Sequence, residues 1–243
     1  MRCLMLRFDA PLMSFGGVLV DQHNRTERFP GQAMLTGLIA NALGWHHGDA
    51  EALNELQPRI ECAARWDVPP TPLRDYHTVD LGQPHLAQPG WTTRGVPEHR
   101  EGGEAAKKGT HQRYRHYWAD GVMTLALALR EGSPSLDTVT AALQRPARPL
   151  FLGRKTCLPA GRLVLGQREA ADTVSALKAE PRDRRASPQT ERFEACWPPG
   201  CEDDRTETLQ RENRTDERDW RIQAHVGLRT IIVGHVSEVP PCT

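Results

Sequence analysis

Apolar positions along this chain gather into short bands separated by polar, glycine- and proline-rich stretches, and each band predicts an element. Residues 2–8, RCLMLRF, form a compact apolar run that predicts an opening strand buried on at least one face. The next stretch is broken by Pro11, Gly16 and Gly17 and predicts an irregular connection. Between Arg28 and Trp45 the period becomes helical: Leu35, Leu38, Ile39, Ala42 and Leu43 share one face, and Thr36, Gly37, Ala40 and Asn41 the other. Pro30 and Gly31 turn the chain sharply into that helix. Asp49, Leu53 and Leu56 predict a second short helix ending before Pro58, and residues 59–67 a second strand stopped by Pro69, Pro70 and Pro72. VMTLALALR at 122–130 is the clearest strand, a near-continuous apolar run that belongs in the middle of a sheet. Ser133 or Ser135 caps a helix through Leu136, Val139, Ala142 and Leu143, stopped by Pro146. With LVLG at 163–166 as a last strand, the order is that of an α+β, ferredoxin-like βαββαβ unit.

Two segments break the pattern. From Leu73 to Tyr117 the chain is polar and rich in glycine and histidine, and predicts a long hairpin or loop projecting from the core. Within it Arg94, Arg100, Lys107, Lys108, Arg113 and Arg115 outnumber Glu98, Glu101 and Glu104, and Trp91, Tyr114, Tyr117 and Trp118 lie among the cations. Cations neutralise a nucleic-acid backbone while rings stack on its bases, so the segment is either a single-strand grip or a solvated excursion. From Ala170 onward apolar positions thin out, and residues 202–221 carry eight acidic and five basic side chains, which predicts a weakly ordered surface segment or a loosely packed subdomain. The two β-prone stretches near the end predict strands that pair back onto a sheet.

Composition narrows the chemistry. The 243 residues suffice for one large domain or two small ones, and 31 basic against 31 acidic side chains leave no global field to draw the chain onto nucleic acid or membrane. Any nucleic-acid site must therefore be local. The six cysteines form no CxxC pair and share no ligand spacing with the histidines, so no metal and no cofactor is expected. The chain opens on a strand without a leader-like segment, and no apolar run approaches the ~20 residues that cross a bilayer, so a cytoplasmic protein with reduced thiols is expected.

Two stretches could hold phosphate. Free N–H groups at the first turn of the helix after Gly31, with Arg25 and Arg28 upstream, make a plausible anion seat, although a plain core helix fits the same pattern. In RPLFLGRKTCLPAGR, Gly153 turns the chain and Arg154 and Lys155 follow at once, suggesting a backbone loop that approaches phosphate or base. A catalytic alternative draws on Tyr76 with His77, or on His111, Tyr114 and His116 with Lys107 or Lys108, for metal-free RNA cleavage. A flexible hairpin is a poor frame for groups that must be held within a fraction of an ångström. No P-loop, GxSxG or HExxH is present.

Taken in order, LRFDAPLMSFG at 6–16, RFPGQAMLTGLIANALG at 28–44, LRDYHTV at 73–79, HQRYRHYWADGVMTLAL at 111–127 and RPLFLGRKTCLP at 148–159 resemble the Cas-five family of CRISPR-associated proteins, in its type I-E, CasD-like branch. LRDYHTV and FLGRK-x-C are the specific segments. The resemblance implies a ferredoxin-like, RRM-related core of the repeat-associated (RAMP) type over residues 1–168, a β-hairpin thumb over 75–118 within it, and a small β-rich C-terminal part over 169–243. It implies a non-catalytic subunit of Cascade, the CRISPR surveillance ribonucleoprotein of antiviral defence. Such a subunit binds the 5′ handle of the CRISPR RNA, caps the backbone filament and helps hold the large subunit for target DNA recognition. The implied partners are CRISPR RNA, the backbone, large and other Cascade subunits, and target DNA through the complex, with no membrane. Carried over by position, Arg28, Pro30, Gly31 and Gln32 face the handle from the helix start, and Gly153, Arg154 and Lys155 from the loop. Tyr76, His77 and Thr78 lie at the thumb's base, and Lys108, His111, Arg113 and Arg115 on its returning arm. The chain departs from the family's pattern at Gln32, Ala33 and Phe15–Gly17, and its tail matches only faintly, around Arg218 to Trp220. Type I-C relatives supply the alternative, a metal-independent endoribonuclease that processes precursor CRISPR RNA.

Overall fold

A computed structural model describes residues 1–18, 21–80 and 110–242. In chain order the elements are β1 (Arg2–Asp9), β2 (Leu12–Met13), β3 (His23–Asn24), α1 (Gln32–Leu43), α2 (Ala50–Leu56), β4 (Ile60–Val68), β5 (Thr71–Asp80), β6 (Thr110–Ala119), β7 (Val122–Leu129), α3 (Leu136–Gln144), β8 (Val164–Glu169), α4 (Thr173–Ala179), β9 (Arg192–Trp197), β10 (Thr206–Arg214), β11 (Glu217–Asp219), β12 (Ala224–Val226) and β13 (Arg229–Ser237).

Seven strands form one antiparallel sheet in the order β10-β13-β9-β4-β7-β1-β8. The apolar runs of β1 and β7 are continuous because both strands are covered on two faces. On one face Leu4, Leu6 and Phe8 of β1 meet Leu125 and Leu127 of β7, Leu35, Leu38 and Ile39 of α1, and Val139 and Leu143 of α3. On the other face Cys3, Met5, Ala126 and Ala128 join Val174 and Leu177 of α4 with Phe193, Trp197, Ile232 and Val236. Pleating sends alternate side chains to the two layers, so β7 carries its large residues toward α1 and α3 and its alanines toward α4. Ser135 caps α3 by accepting from the Thr138 N–H.

Strands of the tail pair back onto a sheet, and that sheet is the main one. Residues 169–243 add β9, β13 and β10 to the same sheet as the preceding strands, so the boundary expected at 168/169 does not separate two sheets. The segment 202–221 is largely strand, and β10 keeps nearly every side chain at the surface because it is the sheet's edge. The sheet joins across a seam: β9 meets β4 at Ala64↔Cys196 and Arg65↔Ala195. Behind that seam the fully buried Arg65 donates to the carbonyls of Leu177 and Glu180 and, at 2.7 Å, to Asp67. Asp67 also accepts from the Thr124 hydroxyl and the Asp183 N–H, and Arg7 lies 3.4 Å from Asp183. Two arginines face two aspartates, and carbonyls take up most of the remaining donors, Arg7 Nε being buried without a partner, so the charges are largely compensated.

A smaller sheet stands beside this one, with β6 pairing β2, β3 and β5. β5 and β6 run antiparallel from Thr71↔Ala119 to Asp80↔Thr110. β5 is mostly exposed, as its polar composition requires, whereas Arg113, Tyr114, Arg115 and His116 of β6 are half-buried.

Candidate nucleic-acid interface

The loop after α3 is fastened rather than free. Gly153 has φ +99°, and a Cβ there would lie 1.7 Å from the Ser14 carbonyl oxygen, so only glycine lets the two backbones meet. Ser14 N–H donates to the Leu152 carbonyl at 3.1 Å, and Leu152 N–H to that of Cys157 at 2.8 Å. Arg154 spreads its guanidinium 4.8 Å from the Tyr117 ring centroid and donates to the carbonyls of His116 (3.1 Å) and Asn24 (2.8 Å). It therefore ties the loop to β6 and β3. Lys155, next in the chain, is exposed with its charge outward.

This loop forms one wall of a groove of about 470 Å³. The opposite wall is the face of α1 that carries Met34 and Gly37, and the far end is closed by Arg218, Trp220 and His225 around the β11–β12 hairpin. Arg218 lies 5.3 Å from the Trp220 ring and donates to the Gln223 carbonyl and side-chain oxygens. Burial holds its pKa below the ordinary arginine value. Arg154, Lys155, Arg218, His47 and His225 line this groove, and among the described residues no carboxylate does. A neutral chain thus carries a local basic channel with a tryptophan at one end and glycine-thin walls, the features that admit a sugar-phosphate backbone.

Beyond Arg154, on the small sheet, rings stack in a ladder. His23 and Tyr114 lie 4.6 Å apart at 6°, and Tyr76 lies 4.9 Å from the other side of Tyr114 at 25°. Arg74 stands 5.5 Å from the Tyr114 ring. Tyr76 is 50% exposed and ends the ladder at the surface.

The helix start is not an open anion seat. Asp216, which closes the edge between β10 and β11, accepts from the Gln32 N–H at 3.3 Å and offers its carbonyl to the Ala33 N–H at 2.8 Å. Its carboxylate also pairs with Arg229 at 3.0 Å through Nε. The chain supplies its own anion, and Gly31 is what lets Asp216 approach, since a Cβ would meet it at 2.9 Å. Gln32 is buried and donates to the carbonyls of Gln57 (2.5 Å) and Ile60 (3.1 Å). Arg28 pairs with Glu194 and lies over the rings of Trp66 and Trp118, at 5.2 and 4.7 Å. These residues build the core beside the groove and do not line it; Arg25 is exposed on the small sheet's side.

Of the remaining candidates, Thr78 is exposed on β5 and His77 lies 2.6 Å from Asp75. Arg113 reaches the Asp21 carbonyl at 3.4 Å, and Arg115 lies opposite Asp75 in the β5–β6 register. His111 is placed on β6 opposite Val79, and Lys108 lies outside the described residues, as does Lys107. Tyr76 and His77 are neighbours on a strand and point to opposite faces, so they cannot act together on one phosphate. Tyr114 is engaged on both ring faces. The expected groups at Gly153, Arg154 and Lys155 do come together, whereas those at 28–32 and 76–78 lie apart from them. Sequence reasoning missed His47, Arg74, Asp216 and His225; only the faint family likeness at Arg218 to Trp220 pointed to that end of the groove.

Over residues 3–232 the chain matches the family described as CRISPR-associated protein (Cas_Cas5). The chain belongs to this Cas-five family. It is 31% identical over 183 residues to the CRISPR system Cascade subunit CasD of Escherichia coli (strain K12), covering 72% of this chain and 75% of that protein. Its structure is similar to a chain of a CRISPR RNA-guided surveillance complex, with a TM-score of 0.69 at 26% identity over 97% of this chain and 90% of that one. A crystal structure of a Cas protein shares the fold, with a TM-score of 0.61 at 19% identity over 99% and 98% of the two chains. No helix among the described residues is long and apolar enough to cross a membrane.

Proposed function

We propose that this chain is a non-catalytic, CasD-like subunit of a cytoplasmic type I-E Cascade complex, and that it grips the 5′ handle of the CRISPR RNA in the groove between α1 and the Gly153–Lys155 loop. The observation that carries this reading is a channel lined by Arg154, Lys155 and Arg218, and by no carboxylate among the described residues, on a chain of zero net charge. The strand order β4-β7-β1-β8, with α1 and α3 on one face, supports a ferredoxin-like core of the repeat-associated type. The long β5–β6 pair supports a thumb that reaches across the guide, with Thr78, Arg113 and Arg115 on its arms. In this reading residues 169–243 extend the core and close the groove through Arg218 and Trp220. The same subunit caps the backbone filament and helps hold the large subunit for target DNA recognition.

The test is co-expression with the neighbouring subunits and a CRISPR array, purification through a tag on this chain, and sequencing of the RNA that accompanies it. Guides with a uniform 5′ end are expected, and Lys155→Glu, which reverses an exposed charge, should reduce their recovery about tenfold. Undiminished recovery from the variant removes the groove from the reading. The nuclease alternative is decided by incubating the purified chain with precursor repeat RNA without divalent metal, where no cleavage is expected.

A further inference from the structure

Next to Arg154, where β3, β5 and β6 meet, lies a second hollow of about 450 Å³. His23 and Arg25 line it from one side, Arg74 from β5 and His116 from β6. Arg74 and His116 are register partners, and the His23 and His116 rings lie 6.1 Å apart. His116 Nε2 is buried and has no hydrogen-bond partner. Arg154 packs behind, with its guanidinium against Tyr117, while Trp118, on the same face of β6 as His116, lends the hollow apolar surface. Three acids flank the hollow without lining it: Asp21 accepts from the His23 N–H at 2.7 Å, Asp75 pairs with His77, and Glu27 follows Thr26 in the chain. Among the described residues no carboxylate lines the hollow. Like charges gathered without a counter-ion repel one another, and an anion placed among them removes that cost.

We propose that this hollow seats a phosphate of the bound RNA, and that seating it draws one proton onto His116. The inference rests on the RNA-binding reading above and adds a regulation that reading does not contain. Without an anion, burial and then the charges of His23, Arg74, Arg25 and Arg154 hold His116 below the ordinary histidine value. The phosphodiester's charge cancels the repulsion and favours the protonated imidazole over the neutral ring, and the imidazolium donates to it a charge-assisted hydrogen bond. Binding therefore takes up a proton, and the sign follows. Affinity is greatest at low pH and falls as pH rises through the His116 value of the complex, by at most about tenfold per pH unit for one proton. Phosphodiesters carry a constant charge over this range, so the titration belongs to the protein.

The experiment is fluorescence anisotropy of a labelled repeat-derived RNA with the full-length chain from pH 5.5 to 8.0 at fixed ionic strength. We expect Kd to rise at least fivefold across that range, and His116→Gln to lose at least half of the slope. Calorimetry of the wild type in buffers of different ionisation enthalpy gives the proton count without a variant, and uptake is expected. Tight binding that is flat in pH, zero proton uptake, or an unchanged slope in His116→Gln overturns this inference and leaves RNA binding intact. No binding at any pH overturns both.

Discussion

Asp216→Ala tests the arrangement at the start of α1. The wild-type side chain is 7% exposed, accepts from the Gln32 N–H and neutralises Arg229, whose side chain is 26% exposed. Loss of a helix N-cap acceptor costs about 1 kcal/mol. An arginine left without its partner at a buried site costs about 3–5 kcal/mol, and the residual exposure of Arg229 places this case at or below the lower end, about 2–3. The sum, about 3–4 kcal/mol, corresponds to a fall in Tm of roughly 6–16 °C for a domain of this size. Urea unfolding followed by circular dichroism measures the first figure, and a thermal scan the second. Adding Arg229→Met should recover much of the loss, because the unpaired charge leaves with it. A single-variant cost under 1 kcal/mol, or a double variant no more stable than Asp216→Ala, would refute the view that this pair caps the helix and closes its end to external anions.

Gly153→Ala should detach the loop from Ser14, since the new Cβ would sit 1.7 Å from its carbonyl oxygen, far inside van der Waals contact. Proteolysis near Arg154 and Lys155 should accelerate at least tenfold relative to wild type, with a stability cost of about 2 kcal/mol or more. Asp183 is held below the usual carboxylate range against its own burial by the Arg185 backbone and side-chain hydrogen bonds and by Arg7. A lowered carboxylate stabilises the fold above its unfolded value near pH 3.9, and that stability drains away as pH falls through the lower folded value. The urea midpoint should therefore drop between pH 4 and pH 2 by more in wild type than in Asp183→Asn. Burial pushes the thiols of Cys3 to about 11, Cys196 to about 12 and Cys62 higher still, so these three should react with a thiol reagent at pH 7.5 only after denaturation.

What could be read from the sequence tracks how each element is covered. β1, β7, α1 and α3 announce themselves because their buried faces are long and their periods unbroken. β9 hides its Phe193, Ala195 and Trp197 alternation in six residues flanked by charge, and β10 offers the pattern no buried face at all. The turn at Gly153 is legible in the sequence, but not that Arg154 is occupied with the carbonyls of His116 and Asn24. The helix pattern at α1 fits an anion seat and a core helix alike for a similar reason. The residue that decides between them, Asp216, is 184 residues further along the chain, inside a charged segment that predicts a weakly ordered surface stretch or a loosely packed subdomain.

The seam between β4 and β9 sets a rule for synthesis. β4 is made more than 100 residues before its outer neighbour β9 and before the carbonyls of Leu177 and Glu180 that receive Arg65. Until then the nascent chain presents an unpaired strand edge with an arginine and an aspartate awaiting partners. Charges at such an edge discourage pairing with other chains, so the side chains that lock the finished sheet also guard the unfinished one.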